Sequence, residues 1–104
     1  MLTGATVSGD ELEFLATDRK NAILADARGI PLGVDGVTVD LPWPFIAPVT
    51  YEQAIRAIGY GLTVAVDTSS GERHTCQVKV RQFHRTEAWI DELEALLDRY
   101  LPNR

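Results

Sequence analysis

The fold turns on the stretch Leu62–Arg85, LTVAVDTSSGERHTCQVKVRQFHR. Leu62, Val64 and Val66 alternate with Thr63, Ala65 and Asp67, the period-two pattern of a strand with one buried face. Thr68, Ser69, Ser70 and Gly71 carry turn chemistry, and residues 73–85 alternate again, so the stretch predicts a β-hairpin. In its second strand Arg73, Thr75, Gln77, Lys79, Arg81, Phe83 and Arg85 point one way. His74, Cys76, Val78, Val80 and Gln82 point the other. Arg73, Lys79, Arg81 and Arg85 therefore share a face, and the segment holds no acid. The pattern predicts a basic stripe on a chain whose formal net charge is -5.

Helices are expected on both sides of the hairpin. Downstream, Thr86 is placed to cap a helix with Glu87 in its first turn, where the helix dipole favours an anion. Trp89, Ile90, Leu93, Leu96, Leu97, Tyr100 and Leu101 form its apolar stripe, Asp91, Glu92, Glu94 and Asp98 fall largely opposite, and Pro102 ends it. Upstream, Thr50 and Gln53 have capping-box spacing, and Tyr51, Ala54, Ile55 and Ile58 share one helical face. A short helix over Tyr51–Ile58, stopped by Gly59 and Gly61, is the expectation.

The N-terminal half reads as a meander of short strands. Leu12, Phe14 and Ala16 alternate with Glu11, Glu13 and Leu15, Asp18 to Asn21 form a turn, and Ala22 to Asp26 return. A helix from a Ser8/Glu11 capping box would also fit residues 9–28; the strands are preferred. Asp26 to Gly29 and Asp35-Gly36 are turn signals around Ile30–Val34, and Val37–Leu41 alternates again. Between the halves Pro42, Pro44 and Pro48 exclude a helix interior and predict an extended, polyproline-like crossing.

The whole is α+β: an antiparallel sheet, made of an N-terminal meander and a C-terminal hairpin, packed against the C-terminal helix and the short one. A length of 104 residues, 45% hydrophobic and 24% charged, suits a single domain over 1–104 with its own core. Cys76 is the only cysteine, so a disulfide scaffold is excluded. No apolar run nears the roughly 20 residues of a spanning helix, and the N-terminus lacks a signal-peptide pattern, so a cytoplasmic location is expected. The negative charge disfavours general nucleic-acid or anionic-membrane binding.

No catalytic constellation emerges. His74 and Cys76 share a strand face near His84, but the spacing is one fragment of a metal or Cys–His site, and a buried free cysteine fits better. Ser69 and Ser70 sit at a hairpin tip without a nucleophile elbow, and the glycines match no phosphate-binding fingerprint. No metal or cofactor is expected. The candidate partner-binding residues are Arg73, Lys79, Arg81, Phe83 and Arg85 of the stripe, with Trp43 and Phe45 of the proline segment. Trp43 and Phe45 read either as a lid over the core, which is preferred, or as interface anchors.

The expectation is a non-enzymatic protein of inhibitor, immunity, accessory or adaptor type that acts through protein–protein contacts. The width of the helical stripe adds an expected homodimer through that helix. The alternatives are a small enzyme or ligand-binding domain with a cleft between helix and sheet, and a nucleic-acid binder using strand 73–85 with Phe83 as a stacking platform.

Overall fold

The computed structural model describes residues 13–101. The chain makes two antiparallel meanders and one long helix. The first sheet consists of β1 (Phe14–Thr17), β2 (Asn21–Ala25), β3 (Leu32–Val34) and β4 (Val37–Val39) in sequence order. The second consists of β5 (Ile46–Ile55), β6 (Tyr60–Thr68) and β7 (Arg73–Val80), followed by α1 (Phe83–Tyr100). The α+β architecture, the N-terminal meander, the C-terminal hairpin and the C-terminal helix are thus all present. The alternative helix from Ser8 begins outside the described residues, as do Glu11 and Leu12 of the preferred first strand; within them, residues 14–17 and 21–25 are strands.

Local chemistry explains the tight turns. Asp35 and Gly36 both have positive φ, 53° and 83°, as a two-residue hairpin turn of the right twist requires. In the β1–β2 turn, Oδ1 of Asp18 accepts hydrogen bonds from the backbone N–H groups of Lys20 and Asn21, both at 2.8 Å.

The short helix over Tyr51–Ile58 is not formed; the chain there is β5, and Arg56–Gly59 turns it back into β6. The capping-box spacing of Thr50 and Gln53 is a local preference, and tertiary pairing overrides it. Val49 pairs with Val66, Tyr51 with Val64 and Gln53 with Leu62, so these side chains face α1 while Thr50 and Glu52 face solvent. Gln53 Nε2–H donates to Thr86 Oγ1, and Tyr51 O–H donates to Glu94 Oε2 at 2.5 Å. Gly59, with φ 86°, lies against the Val80 carbonyl; a Cβ there would approach that oxygen to 2.7 Å.

The proline segment also departs from a simple extended crossing. Trp43–Phe45 is one 3₁₀ turn, and Pro48 is taken into β5 where the register shifts between Ile46 and Val49, a position that tolerates a missing donor.

The helix starts one turn earlier than expected. Gln82 is the residue before its first turn, so Thr86 is no cap and Glu87 lies beyond the first turn. Thr86 is fully buried, and its hydroxyl donates to the Phe83 carbonyl at 2.6 Å. Its role is to satisfy a polar group at the α1–β5 junction.

One core joins all three parts. Phe14, Ile23 and Leu32 of the first sheet, Leu62, Val64 and Val78 of the second, and Trp89, Leu93, Leu96 and Leu97 of α1 form a single buried cluster. Each fully buried leucine contributes about 1.5–3 kcal/mol. No backbone ladder connects the described sheets; side chains clasp them instead. Asp18 Oδ2 accepts the Lys79 N–H of β7 at 2.8 Å, and Asn21 Nδ2–H donates to the Gln77 carbonyl at 2.8 Å. Asn21 Oδ1 also accepts the Asp35 N–H at 3.1 Å, which ties in the β3–β4 turn.

Candidate functional site

β7 ends at Val80, and this divides the predicted basic stripe. Arg73 and Lys79 lie on the outward face of β7, Arg81 lies in the link to α1, and Phe83 and Arg85 are in the first turn of the helix. The stripe therefore does not continue as one strand to Arg85. Gln82 leaves the sheet because the chain must turn α1 back across the core. Arg85 folds over the Trp89 ring, 5.6 Å from its centre, as a partly exposed cation–π contact.

Arg73 is spoken for. Its Nε–H and Nη2–H donate to the two Asp67 carboxylate oxygens at 2.7 and 2.9 Å across the β6–β7 hairpin. These hydrogen bonds hold the Asp67 carboxyl below its usual range and push the Arg73 guanidinium up.

Trp43 and Phe45 part company. Trp43 packs against the core, stacked on Tyr100 with ring centres 5.1 Å apart, and its indole N–H donates to the Asp26 carbonyl at 2.7 Å. Phe45 is 59% exposed, and its carbonyl accepts the Ser69 N–H, which places it beside the β6–β7 turn at the Arg73 end of the sheet.

The opposite end of β7 is different. There the β1–β2 turn, the β5–β6 turn and the β7–α1 link converge on a cleft of about 350 Å³, lined by Asp18, Arg19, Lys20, Asn21, Ile58, Lys79, Val80 and Arg81. Four of the chain's ten Lys and Arg residues line it, against one carboxylate. Among the described residues none of these four cations has an ion-pair partner within 4.0 Å. Asp18 does not serve as one, because both its oxygens are committed to backbone N–H groups. Partial burial pushes its carboxyl up, but those three amides and the nearby Lys79 charge outweigh this and hold it below the usual aspartate range.

Exposed apolar surface lies at the same end of the sheet, and Ile58 and Val80 share the cleft with the cations. Ile55 and Ile58 are 83% and 85% exposed. Ile55 pairs with Tyr60 and Tyr60 with Val80, so the three side chains form one row across the sheet. Phe83, 43% exposed, meets Tyr60 edge-on at 5.2 Å. Sequence reasoning reached Lys79, Arg81 and Phe83 but missed Arg19, Lys20, Ile55 and Ile58. Isoleucine in a turn was the available signal, and the helical reading of Tyr51–Ile58 concealed it.

Other candidates yield little. Cys76 is buried; burial raises its thiol pKa, and the thiol donates weakly to the Ala22 and Gly33 carbonyls at 3.6 and 3.5 Å. His74 leans toward Glu72 at 3.4 Å, away from any convergent set. Among the described residues no three His, Cys, Asp or Glu side chains gather as a metal site, and no helix is long and apolar enough to cross a membrane. A second concavity, about 550 Å³ between Leu24, Asp26, Arg28, Asp40 and Pro42, takes no residue from α1, and neither does the basic cleft. Of the helical stripe offered for self-association, Trp89, Leu93, Leu96 and Leu97 are buried in the core, while Ile90, Tyr100 and Leu101 are half-buried. No protein-family model, curated protein or solved structure matches the chain.

Proposed function

We propose that this chain is a non-catalytic binding protein acting through protein–protein contacts, of inhibitor, accessory or adaptor type, and that its working surface is the basic and apolar end formed by the three converging turns. The observation that carries this reading is the coincidence of four cations, without ion-pair partners among the described residues, with Ile58, the most exposed isoleucine of those residues. Exposed apolar residues rimmed by charge mark interaction surfaces, and such charges speed association and select partners. A reducing, cytoplasmic setting belongs to this reading. Nucleic acid is less favoured, since Phe83 is engaged by Tyr60 and the field of the whole chain is negative.

The test compares the purified chain with its Lys79→Glu/Arg81→Glu variant as bait in extract of the native cell, followed by binding of the identified partner in pure form. A protein captured by the first and lost from the second, with unchanged melting of the bait, supports the reading. Equal capture by both places the working surface elsewhere.

A further inference from the structure

We infer that the occupant of the basic cleft is an acidic segment of a partner protein that carries a large apolar side chain between its carboxylates. This rests on the reading above and specifies its partner. The cleft has two demands at once. Arg19 and Lys20 enter it from the β1–β2 turn, Lys79 and Arg81 from the end of β7, and Ile58 and Val80 supply its apolar lining. The row of Ile55, Tyr60 and Val80 stands at the same end of the sheet, on the face opposite to the Lys79 side chain. At about 350 Å³ the cleft has room for a side chain with its neighbours, near the lower limit of ligand pockets, roughly 300–1,000 Å³.

Each simpler occupant meets only one demand. A bare oxyanion would satisfy the cations and leave Ile58, 85% exposed, in water. A purely apolar segment would cover Ile58 and desolvate the four cations without giving them partners, which is costly. Helix α1 of a second copy offers Glu87, Asp91, Glu92 and Asp98, but beyond its first turn the only apolar residues exposed with them are Ala88 and Ala95, and its exposed large apolar side chain, Phe83, already meets Tyr60 of its own chain. An anionic bilayer would attract the cleft yet repel the rest of a chain of net charge -5. Alternating carboxylates and a large apolar side chain match the surface in both respects.

The experiment uses the whole chain and a labelled synthetic peptide with Leu and Phe set among Glu residues, followed by fluorescence anisotropy. Two control peptides replace either the Leu and Phe by Ser or the Glu by Gln. Vesicles of equal parts phosphatidylserine and phosphatidylcholine form a separate arm. The expected result is saturable binding that weakens about tenfold or more with each control peptide, with Ile58→Asp and with Lys79→Glu/Arg81→Glu. If the double variant melts early, Arg19→Glu/Lys20→Glu on the exposed turn replaces it. Binding unmoved by every variant, or binding of vesicles but not of peptide, overturns the inference. So does self-association that is abolished by the same variants. If the native-extract partner is lost with the variants while the peptide fails to bind, the surface stands and the stated occupant falls.

Discussion

At one end of β7 the Arg73 guanidinium closes on both oxygens of Asp67. At the other end, about 20 Å along the strand at roughly 3.3 Å per residue, Lys79 and Arg81 stand beside two further cations and a carboxylate already used by backbone amides. In the sequence these charges look equivalent, two residues or multiples of two apart on one face. What separates them is the partner strand. Asp67 lies opposite Arg73, whereas Gly61 lies opposite Lys79. A glycine cannot neutralise a cation, so charge accumulates at that end while it cancels at the other.

The largest change is expected where both ends share support. Leu93 is fully buried at the centre of the common core, and Leu93→Ala should lower unfolding free energy by about 2–5 kcal/mol. Chemical denaturation checks this. A loss near zero would mean that α1 does not hold the two sheets together, and the contrast between the ends would lose its scaffold.

A smaller effect separates the ends. Asp18→Ala removes the acceptor for three backbone N–H groups, one of them at Lys79, and should cost about 1–3 kcal/mol. The pH dependence has a definite sign. A carboxyl held below its unfolded value adds stability above that value and loses it as pH falls through the folded one. The native chain should therefore lose stability below about pH 4, and Asp18→Asn should flatten part of that loss. Asp67, also depressed, should supply part of what remains. Equal acid profiles for the two proteins would show that Asp18 does not clasp β7.

The smallest effect should come from Arg73→Glu. Its ion pair is exposed and screened by salt, so melting temperature should barely move and binding at the far cleft should be unchanged. A binding loss equal to that of Lys79→Glu/Arg81→Glu would restore a single continuous stripe and erase the contrast.

Much of this was readable from the chain. The alternation of Leu62–Val80, the Asp35-Gly36 turn and the stripe of α1 are period and turn signals that agree with their tertiary setting. Residues 50–58 failed because two local signals conflicted. The capping-box spacing favoured a helix, and only the presence of β6 as a pairing partner makes the strand win. The site followed the same division. Lys79 and Arg81 were visible as charges, but Arg19, Lys20 and Ile58 reach the cleft through turns distant in sequence, and the cancellation of Arg73 depends on hairpin register. Distance in sequence hides both.

The clasp between the sheets also acts as a ruler. Asp18 and Asn21 reach β7 with short side chains, and the bonds they make, each 2.8 Å, set how far the β1–β2 turn stands from Lys79. Glu or Gln at these positions would keep the chemistry and add one methylene, about 1.5 Å of reach. Arg19 and Lys20, carried on that turn, would shift with it relative to Lys79 and Arg81. The spacing of the two cationic banks, and with it the spacing of acids that a partner must present, is thus written in the length of two side chains, and a substitution conventionally counted as mild would change which partner fits.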